Sequence, residues 1–294
     1  MDRISLKAMG KINLALDVLG RRENGYHDVR MIMQSVQIFD RLLIEKSKEA
    51  GIRVSTNRAY LPTDENNLVY QAAKLLIDEF GIKEGVNIDL KKFLPVAAGM
   101  AGGSSDAAAV LFGMNRMFHL GLGQEELMKR GLKIGADIPF CIMRGTVLAE
   151  GIGEILTPLS PAPQCHVVVA KPPVAVSTKT IYERIDTAGV SSHPDIDGML
   201  RAISDQDLKG VASRLGNVLE SVTKEDCPLI GQIEETMLGC GALGAAMSGS
   251  GPTVFGLFEA EENAQAAYSK LKEMHVAKQV YLTAFFQNSR LDRK

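Results

Sequence analysis

The segment with the clearest chemistry is the run of small residues from 94 to 108, LPVAAGMAGGSSDAA. Gly, Ala and Ser carry no bulky side chains, so the backbone N–H groups of such a run can turn inward and approach an anion closely. The run opens into an Ala-rich stretch that predicts a helix, with Ser104 or Ser105 as its N-cap and Asp106 in its first turn. Since a glycine-rich loop before a helix N-terminus favours phosphate, we predict a phosphate-binding loop.

Better-known loop motifs do not match this segment. A P-loop would place Gly-Lys before Ser or Thr, whereas Gly103 is followed directly by Ser104. A dinucleotide-binding loop follows the first strand, but this loop lies a third of the way along the chain. A nucleophile elbow fails at its closing glycine, where Asp106 stands. A flexible surface loop is the remaining alternative, and such loops seldom run straight into a helical segment.

Three further groups of residues have a chemical interpretation and an ordinary one. Lys11 and Asn13 lie on one face of a predicted strand, which is either part of a site or simply solvated. Asp137, within GADIPF, is enclosed by small and apolar residues; it either needs a partner such as lysine or is a structural turn residue. Ser248 and Gly249 begin a turn, SGSGP, whose N–H groups could bind a second anionic group, although such turns are common between strands.

Composition indicates a globular cytoplasmic enzyme and excludes several other classes. The 294 residues, 46% hydrophobic and 23% charged, suffice for two domains with a core each. A net charge of −2 predicts no nucleic-acid or membrane surface, and no signal core or long apolar run is present. The four cysteines lack metal-type spacing, so we expect reduced, mostly buried thiols and no metal site built from protein ligands.

Strands and helices alternate along the predicted chain. A hairpin of strands over 12–18 and 31–38 turns at Asn24-Gly25, and short edge strands are predicted at 42–45 and 52–55. Asn66 or Asn67 caps a helix that precedes a strand over 86–90 and the phosphate loop. Two prolines within 159–163 mark a boundary between domains 1–160 and 161–294. Further helices are predicted at 124–134, 177–185, 195–202, 207–215, 228–238 and 260–274, and further strands at 145–149, 155–157, 167–170, 242–247, 253–258 and 279–285.

In their order along the chain, these motifs resemble the GHMP kinase family. Its pattern has a lysine on an N-terminal strand, a central Pro-x-x-x-Gly-x-x-Gly-Gly-Ser-Ser loop and a C-terminal Gly-Ser-Gly turn, and the likeness spans nearly the whole chain. The resemblance implies an α+β fold of two domains around a central cleft: an N-terminal, ribosomal-protein-like ATP-binding domain and a C-terminal GHMP α/β domain. It also implies a left-handed βαβ connection, where general topology would predict a right-handed one. Ala97, Ala98 and Ala101 stand where a glycine-rich variant has glycine; alanine suits any conformation except positive φ, so we expect the loop to keep its form.

The resemblance also implies a reaction. The motifs KINL at 11–14, GYH at 25–27 and GAD at 135–137 are similar to those of members that transfer the γ-phosphoryl group of ATP to the 2-hydroxyl of a cytidine-diphosphate-linked methylerythritol. Asp137 would be the general base, and Lys11 would pair with it and hold the attacking oxygen. Tyr26 and His27 would read the cytosine, and Tyr182 would either stack on it or pack in the core.

The resemblance further assigns binding positions. The ATP-binding positions it implies are Pro95, Val96, Ala97, Ala98, Gly99, Met100, Ala101, Gly102, Gly103, Ser104, Ser105, Asn67, Leu68 and Lys92. The substrate-binding positions it implies are Asn13, Tyr26, His27, Thr178, Tyr182, Ser248 and Gly249. Mg²⁺ is expected beside ATP, held mainly by ATP and water, with Ser105 as a candidate contact.

Two other functions stay open at this point. Another GHMP kinase, acting on mevalonate, homoserine or a sugar, would share the loop and the Asp-Lys pair, although Gly25-Tyr26-His27 argues against it. A nucleotide-binding regulator without turnover would keep the fold, but should lack Lys11 or Asp137, and both are present. A Rossmann dehydrogenase is disfavoured by the loop position. The expected partners are small molecules only, with the chain a monomer or weak homodimer.

Overall fold

Two long neighbouring strands begin the fold, in a computed structural model that describes residues 1–190 and 192–287. These strands are β1 (Arg3–Arg21) and β2 (His27–Ser47). The turn between them contains Gly25 with φ +84°, a left-handed conformation that glycine adopts without steric cost. The predicted hairpin is therefore confirmed, but both strands extend well beyond the predicted bounds.

The chain forms two compact units, each assembled from separate segments. The first unit comprises 1–10, 38–96 and 101–143, and the second comprises 11–37, 97–100 and the chain from 144 onward. Both long strands therefore contribute one part to each unit. The boundaries between these compact units do not fall at 160/161. The division into sequence domains 1–160 and 161–294 stays a prediction.

The first unit packs helices against part of a sheet. Strand β4 pairs parallel with β3 and antiparallel with the second half of β2, so that Leu42 lies opposite Leu90 and Ile44 opposite Ile88. Residues 42–45 are thus an internal part of β2, and the predicted separate edge strand is wrong because the long strand does not stop at residue 38. The other elements are β3 (Ile52–Thr56), α1 (Leu68–Phe80), β4 (Gly85–Lys91), α2 (Gly102–Met117), α3 (Gln124–Leu132) and α4 (Ile138–Met143).

The second unit contains a four-stranded antiparallel sheet in the order β11-β7-β10-β9. In the same unit β5 pairs with the first half of β2, and the two-residue strand β8 pairs parallel with β1. Its elements are β5 (Thr146–Glu150), β6 (Ile155–Pro158), β7 (His166–Lys171), α5 (Thr178–Ala188), α6 (Ile196–Ser204), α7 (Leu208–Ala212), β8 (Gly216–Asn217), α8 (Glu220–Asp226), α9 (Leu229–Gly239), β9 (Gly244–Met247), β10 (Val254–Phe258), α10 (Glu261–Glu273) and β11 (Gln279–Ala284).

Three short elements were not predicted: α4, β8 and α8. Helix α8 buries Val222 and Thr223 only, so its sequence lacks an apolar repeat that would mark a helix. Strand β8 has two residues, too few for an alternating pattern. Across the described ranges, no helix combines the length and apolar character needed to cross a bilayer.

Candidate active site

The loop between β4 and α2 presents a row of unused backbone donors. Ala97, Gly99 and Ala101 have φ values of 50°, 70° and 52°, and the residues between them do not have positive φ. Such alternation turns successive N–H groups toward one side and forms an anion-binding concavity. Within residues 1–190 and 192–287, the N–H groups from Ala97 to Ser104 donate to no protein acceptor. The last of them belong to the first turn of α2, where an anion is favoured.

The start of α2 corrects two expectations. Ala101, not a serine, is the N-cap, so Ser105 lies inside the helix and its hydroxyl donates to the Met9 carbonyl at 2.6 Å. Asp106 lies beyond the first turn, which contains no acidic residue. The predicted cap is wrong because the left-handed Ala101 turns the chain into the helix before either serine. Ala97 and Ala101 also adopt the positive φ that alanine disfavours, at roughly 1–2 kcal/mol each.

A buried ion cluster supports the loop within the first unit. The Lys92 ammonium binds Asp106 at 2.6 Å and also binds Asp40, while the other Asp40 oxygen accepts the N–H groups of Phe93 and Leu94. Burial raises the pKa of Asp106 well above its usual range. Burial lowers the pKa of Lys92, but the two carboxylates more than compensate, and the net shift is upward. The cluster ties both ends of the loop to β2.

Three residues of this unit were expected near ATP, and that role stays a prediction. The Lys92 ammonium is 3.3 Å from the point where a Cβ on Gly102 would lie, directly beside the start of α2. Asn67 caps α1 by accepting the Val69 N–H at 2.9 Å, as the sequence predicted. Leu68 is the neighbour of Gly103, 3.5 Å from its Cβ position.

In the second unit the structure brings together Lys11, the loop and the turn formed by residues 248–252, called the glycine-serine turn below. The Lys11 N–H donates to the Met100 carbonyl at 3.2 Å. The Ser248 hydroxyl donates to the Gly99 carbonyl at 3.0 Å, and a Cβ on Gly99 would lie 2.0 Å from the Ser248 carbonyl oxygen. A Cβ on Gly249 would lie 3.3 Å from Lys11 Nζ. Three motifs far apart in the sequence therefore meet at atomic contact.

The Lys11 side chain is buried and held by a second predicted residue. Its ammonium donates to Asn13 Oδ1 at 2.6 Å, while Asn13 Nδ2 faces the Met31 sulfur at 3.2 Å. Lys11 and Asn13 are 5% and 1% exposed, so the solvated-strand interpretation of these two residues is wrong. A buried ammonium is a strong local positive charge, because little water screens it.

Another predicted group lies at the start of β2 and on α5. The rings of His27 and Tyr182 are 4.9 Å apart and tilted by 39°, and His27 Nε2 is 2.6 Å from Asp186 Oδ1. The core side of α5 is formed by Ile181 and Ile185, while Tyr182 is partly exposed. The side chain of Tyr26 is also exposed. The His27 side chain is only 8% exposed, so Tyr182 and Tyr26 present the accessible aromatic surface of this group.

Two predicted residues sit at helix starts. Thr178 opens α5, and its hydroxyl is 2.8 Å from the Ser250 hydroxyl, which links it to the glycine-serine turn. Asp137 directly precedes α4 and is partly exposed; its carbonyl accepts the Cys141 N–H at 3.1 Å. Asp137 belongs to the first unit and Lys11 to the second. Their pairing stays a prediction.

Sequence reasoning missed Asn217 and Glu220. Asn217 Nδ2 donates to the carbonyls of Met247 at 2.9 Å and Gly249 at 2.7 Å. Glu220 Oε2 accepts the Met247 N–H at 2.8 Å. Neither residue stands in a glycine-rich motif, and Asn217 lies in the short strand β8, which pairs with β1.

Comparison with known proteins identifies relatives over nearly the whole chain. The models described as "GHMP kinases N terminal domain" and "GHMP kinases C terminal" match residues 67–145 and 199–277. The 4-diphosphocytidyl-2-C-methyl-D-erythritol kinase of Lachnospira eligens is 56% identical over 97% of this chain and 99% of its own length. A crystal structure of 4-(cytidine 5'-diphospho)-2C-methyl-D-erythritol kinase has a TM-score of 0.83 and 29% identity over 97% of this chain and 100% of that one. A homoserine kinase from Cytophaga hutchinsonii shares the fold, with a TM-score of 0.77 and 20% identity over 98% and 96% of the two chains.

Proposed function

The chain is a small-molecule kinase that belongs to the 4-diphosphocytidyl-2-C-methyl-D-erythritol kinase family and has the two-domain GHMP kinase fold; we propose that it phosphorylates the 2-hydroxyl of 4-diphosphocytidyl-2-C-methyl-D-erythritol with ATP. The observation that carries this proposal is the row of unused N–H groups from Ala97 to Ser104, in contact with Lys11 and the glycine-serine turn through residues 99 and 100. Phosphoryl transfer depends on positioned donors and cations rather than on covalent chemistry. This site supplies both.

The loop from Pro95 to Ser105 would bind the ATP phosphates. Its unused N–H groups suit phosphate oxygens, and the absence of large side chains allows close approach. The buried carboxylates Asp40 and Asp106 do not oppose this role, because Lys92 lies between them. Asn67 and Leu68, at the start of α1 beside Gly103, would contact the base of the nucleotide.

Asp137 and Lys11 would carry the proton and charge chemistry. Asp137 would take the proton from the 2-hydroxyl as it attacks, which is the task of a general base. Lys11 would keep that carboxylate ionised and stabilise charge on the transferred group. The burial of Lys11 supports this second role, since a desolvated ammonium acts strongly on a nearby anion.

Mg²⁺ would neutralise charge between the β- and γ-phosphates. Among the described residues, no three His, Cys, Asp or Glu side chains form a metal-binding group. Ser105 is buried and donates its proton to Met9, which leaves the hydroxyl lone pairs as its means of contacting a cation. We therefore propose that phosphate oxygens and water hold the ion chiefly, since Mg²⁺ usually keeps several waters.

The cytidine end would be bound by Tyr26 and His27, with Tyr182 as a second aromatic side chain. The contact between the two rings and the anchoring of His27 by Asp186 support a stacking platform for a planar base. Asn13 and Thr178 would bind hydroxyl or diphosphate oxygens. The four cysteines are free thiols, in keeping with the proposed cytoplasmic location, and the chain would act as a monomer or weak homodimer.

The test measures ADP release by the wild-type chain and by Asp137→Asn with ATP, Mg²⁺ and the proposed alcohol. Mevalonate and homoserine are assayed separately as alternative acceptors. Asp205→Asn, an exposed carboxylate at the end of α6, is the matched control. Loss of the base should lower turnover at least about a hundredfold, while the control keeps it.

Each outcome decides one part of the proposal. Strong wild-type activity that persists in Asp137→Asn would retain the substrate and remove the base. Activity with mevalonate or homoserine alone would overturn the substrate and leave the family assignment. Absence of turnover with every alcohol, in a chain that binds ATP, would favour a regulator.

A further inference from the structure

Asn217 and Glu220 hold the glycine-serine turn from outside every motif that the sequence displays. We propose that Asn217, supported by Glu220, is a positioning residue for phosphoryl transfer. It fixes the turn so that Lys11 and Gly99 keep their places and two turn N–H groups stay free for an anion. This inference rests on the proposed function of the same site.

The direction of the turn peptides follows from the Asn217 contacts. In a trans peptide the C=O and the next N–H point in opposite directions. Because Asn217 Nδ2 binds the Gly249 carbonyl, the N–H of Ser250 must point away from Asn217. The Ser248 carbonyl is bound by the Gly251 N–H at 3.0 Å, which likewise directs the N–H of Gly249. In the part of the chain that the structure describes, neither of these two N–H groups has a protein acceptor.

The orientation of the Asn217 amide is itself fixed. Its Oδ1 accepts the Leu219 N–H at 3.0 Å, so the other end of the amide must be the NH₂ that faces two carbonyls. The flipped amide would place an oxygen against both carbonyls and the NH₂ against an N–H. Asparagine is therefore required for its donors as well as its size.

Glu220 holds the chain at Met247, just before the turn, and is itself held by Lys224. One of its oxygens accepts the Met247 N–H, and the other binds Lys224 at 2.5 Å. Lys224 also binds Glu234 at 2.5 Å, which anchors the group on α9. The turn is thus held on both the donor and the acceptor sides of Met247.

The consequence for the site follows from close contact. A Cβ on Gly249 would lie 3.1 Å from the Gly99 carbonyl oxygen and 3.3 Å from Lys11 Nζ. Ser248 holds the same Gly99 carbonyl. A turn released from Asn217 would therefore shift Gly99 and the surroundings of Lys11, although Asn217 itself need not touch a ligand.

The experiment compares Asn217→Ala with Asn115→Ala. Asn115 is a matched control because both ends of its amide also hold a loop, the one between α2 and α3. Its Nδ2 donates to the Leu122 carbonyl at 2.9 Å, and its Oδ1 accepts the Leu122 N–H at 3.0 Å. We expect Asn217→Ala to lower kcat/KM at least tenfold at a temperature where both variants are folded. Asn115→Ala should stay within about twofold of wild type, even where its thermal unfolding midpoint falls equally. Equal activity losses at equal stability losses would overturn the proposal.

Asn217→Asp separates donor chemistry from packing. The introduced carboxylate keeps the size but faces two carbonyls, so at neutral pH its activity should be below that of Asn217→Ala. Protonation restores one donor, so its activity relative to wild type should rise as the pH falls. A ratio independent of pH would contradict the donor role.

A second measurement does not depend on the identity of the alcohol substrate. Calorimetry measures the binding of a nonhydrolysable ATP analogue in the absence of any alcohol. Asn217→Ala should weaken that binding about tenfold and Asn115→Ala should not. If wild type binds the analogue but does not phosphorylate the proposed alcohol, the proposed function fails while the binding comparison still judges Asn217. Unchanged analogue binding together with unchanged kcat/KM in Asn217→Ala would refute the positioning role.

Discussion

Gly99 and Ser248 are in backbone contact across 149 residues of sequence: the Ser248 hydroxyl binds the Gly99 carbonyl, and there is no space for a side chain on Gly99. The added Cβ would meet the Ser248 carbonyl oxygen at 2.0 Å, which is far inside van der Waals contact. The contact explains why glycine, rather than any small residue, is needed at this point of the loop.

Gly99→Ala should therefore impair the loop more than the backbone angle alone explains. Gly121→Ala is the control, because Gly121 has a similar φ of 74° but nothing within 4 Å of its Cβ position. We expect the control to lose roughly 1–2 kcal/mol of stability and keep its activity. Gly99→Ala should lose at least tenfold in kcat/KM as well. The measurement is steady-state ADP release together with urea unfolding, and equal behaviour of the two variants would disprove the contact argument.

Lys92→Met should be more damaging to the fold than Asp106→Asn. Removal of the ammonium leaves Asp40 and Asp106 buried beside each other, and an uncompensated buried charge typically costs about 3–5 kcal/mol. Removal of the Asp106 charge leaves a one-to-one pair of Lys92 and Asp40. Urea midpoints at neutral pH would check this order, and a reversed order would contradict the argument that the ammonium compensates both carboxylates.

Tyr182→Leu should raise the KM for the cytidine-containing alcohol about tenfold and leave the KM for ATP near wild type. The reason is that stacking on a base contributes roughly 1–3 kcal/mol, and Tyr182 lies against His27. Tyr268→Leu, on α10 with its ring beside Lys272, is the matched control. An increase in the KM for ATP instead would assign Tyr182 to the nucleotide.

Glu234→Gln should change how stability depends on pH. Burial, together with Glu220, raises the pKa of Glu234 from 4.5 to about 7, against the opposing effect of Lys224. A raised pKa in the folded state means that the native chain binds the proton more tightly, so this stabilisation is present at low pH and is lost as pH rises from about 4.5 to about 7. The variant should lose less in its unfolding midpoint than wild type over that range. Glu235→Gln, an exposed neighbour, should follow wild type, and parallel curves for all three would contradict the raised pKa.

The sequence predicted most helices, strands and motifs, but it did not predict the side-chain contacts that hold the motifs in place. A run of small residues before a helix predicts an anion site from neighbouring residues alone. The Asn67 cap of α1 was likewise predictable, because it depends only on residues next to it in the sequence. The partners of Lys92 lie 52 and 14 residues away, so no local pattern could reveal the cluster. Asn217 escaped prediction because a two-residue strand brings it to the turn.

The left-handed alanines were misjudged for a different reason. Propensity argues against positive φ for alanine, yet Ala97 and Ala101 both adopt it in the folded chain. Tertiary structure outweighed a local preference of roughly 1–2 kcal/mol per residue.

Those alanines have a consequence for the energy stored in the loop. A glycine at either position would adopt the same positive φ without steric cost. Alanine at a positive φ is strained, so the native loop holds each of these residues in a conformation that it would not favour alone. The loop from Ala97 to Ala101 is thus under backbone strain, and a glycine at position 97 or 101 should relieve that strain and stabilise the fold.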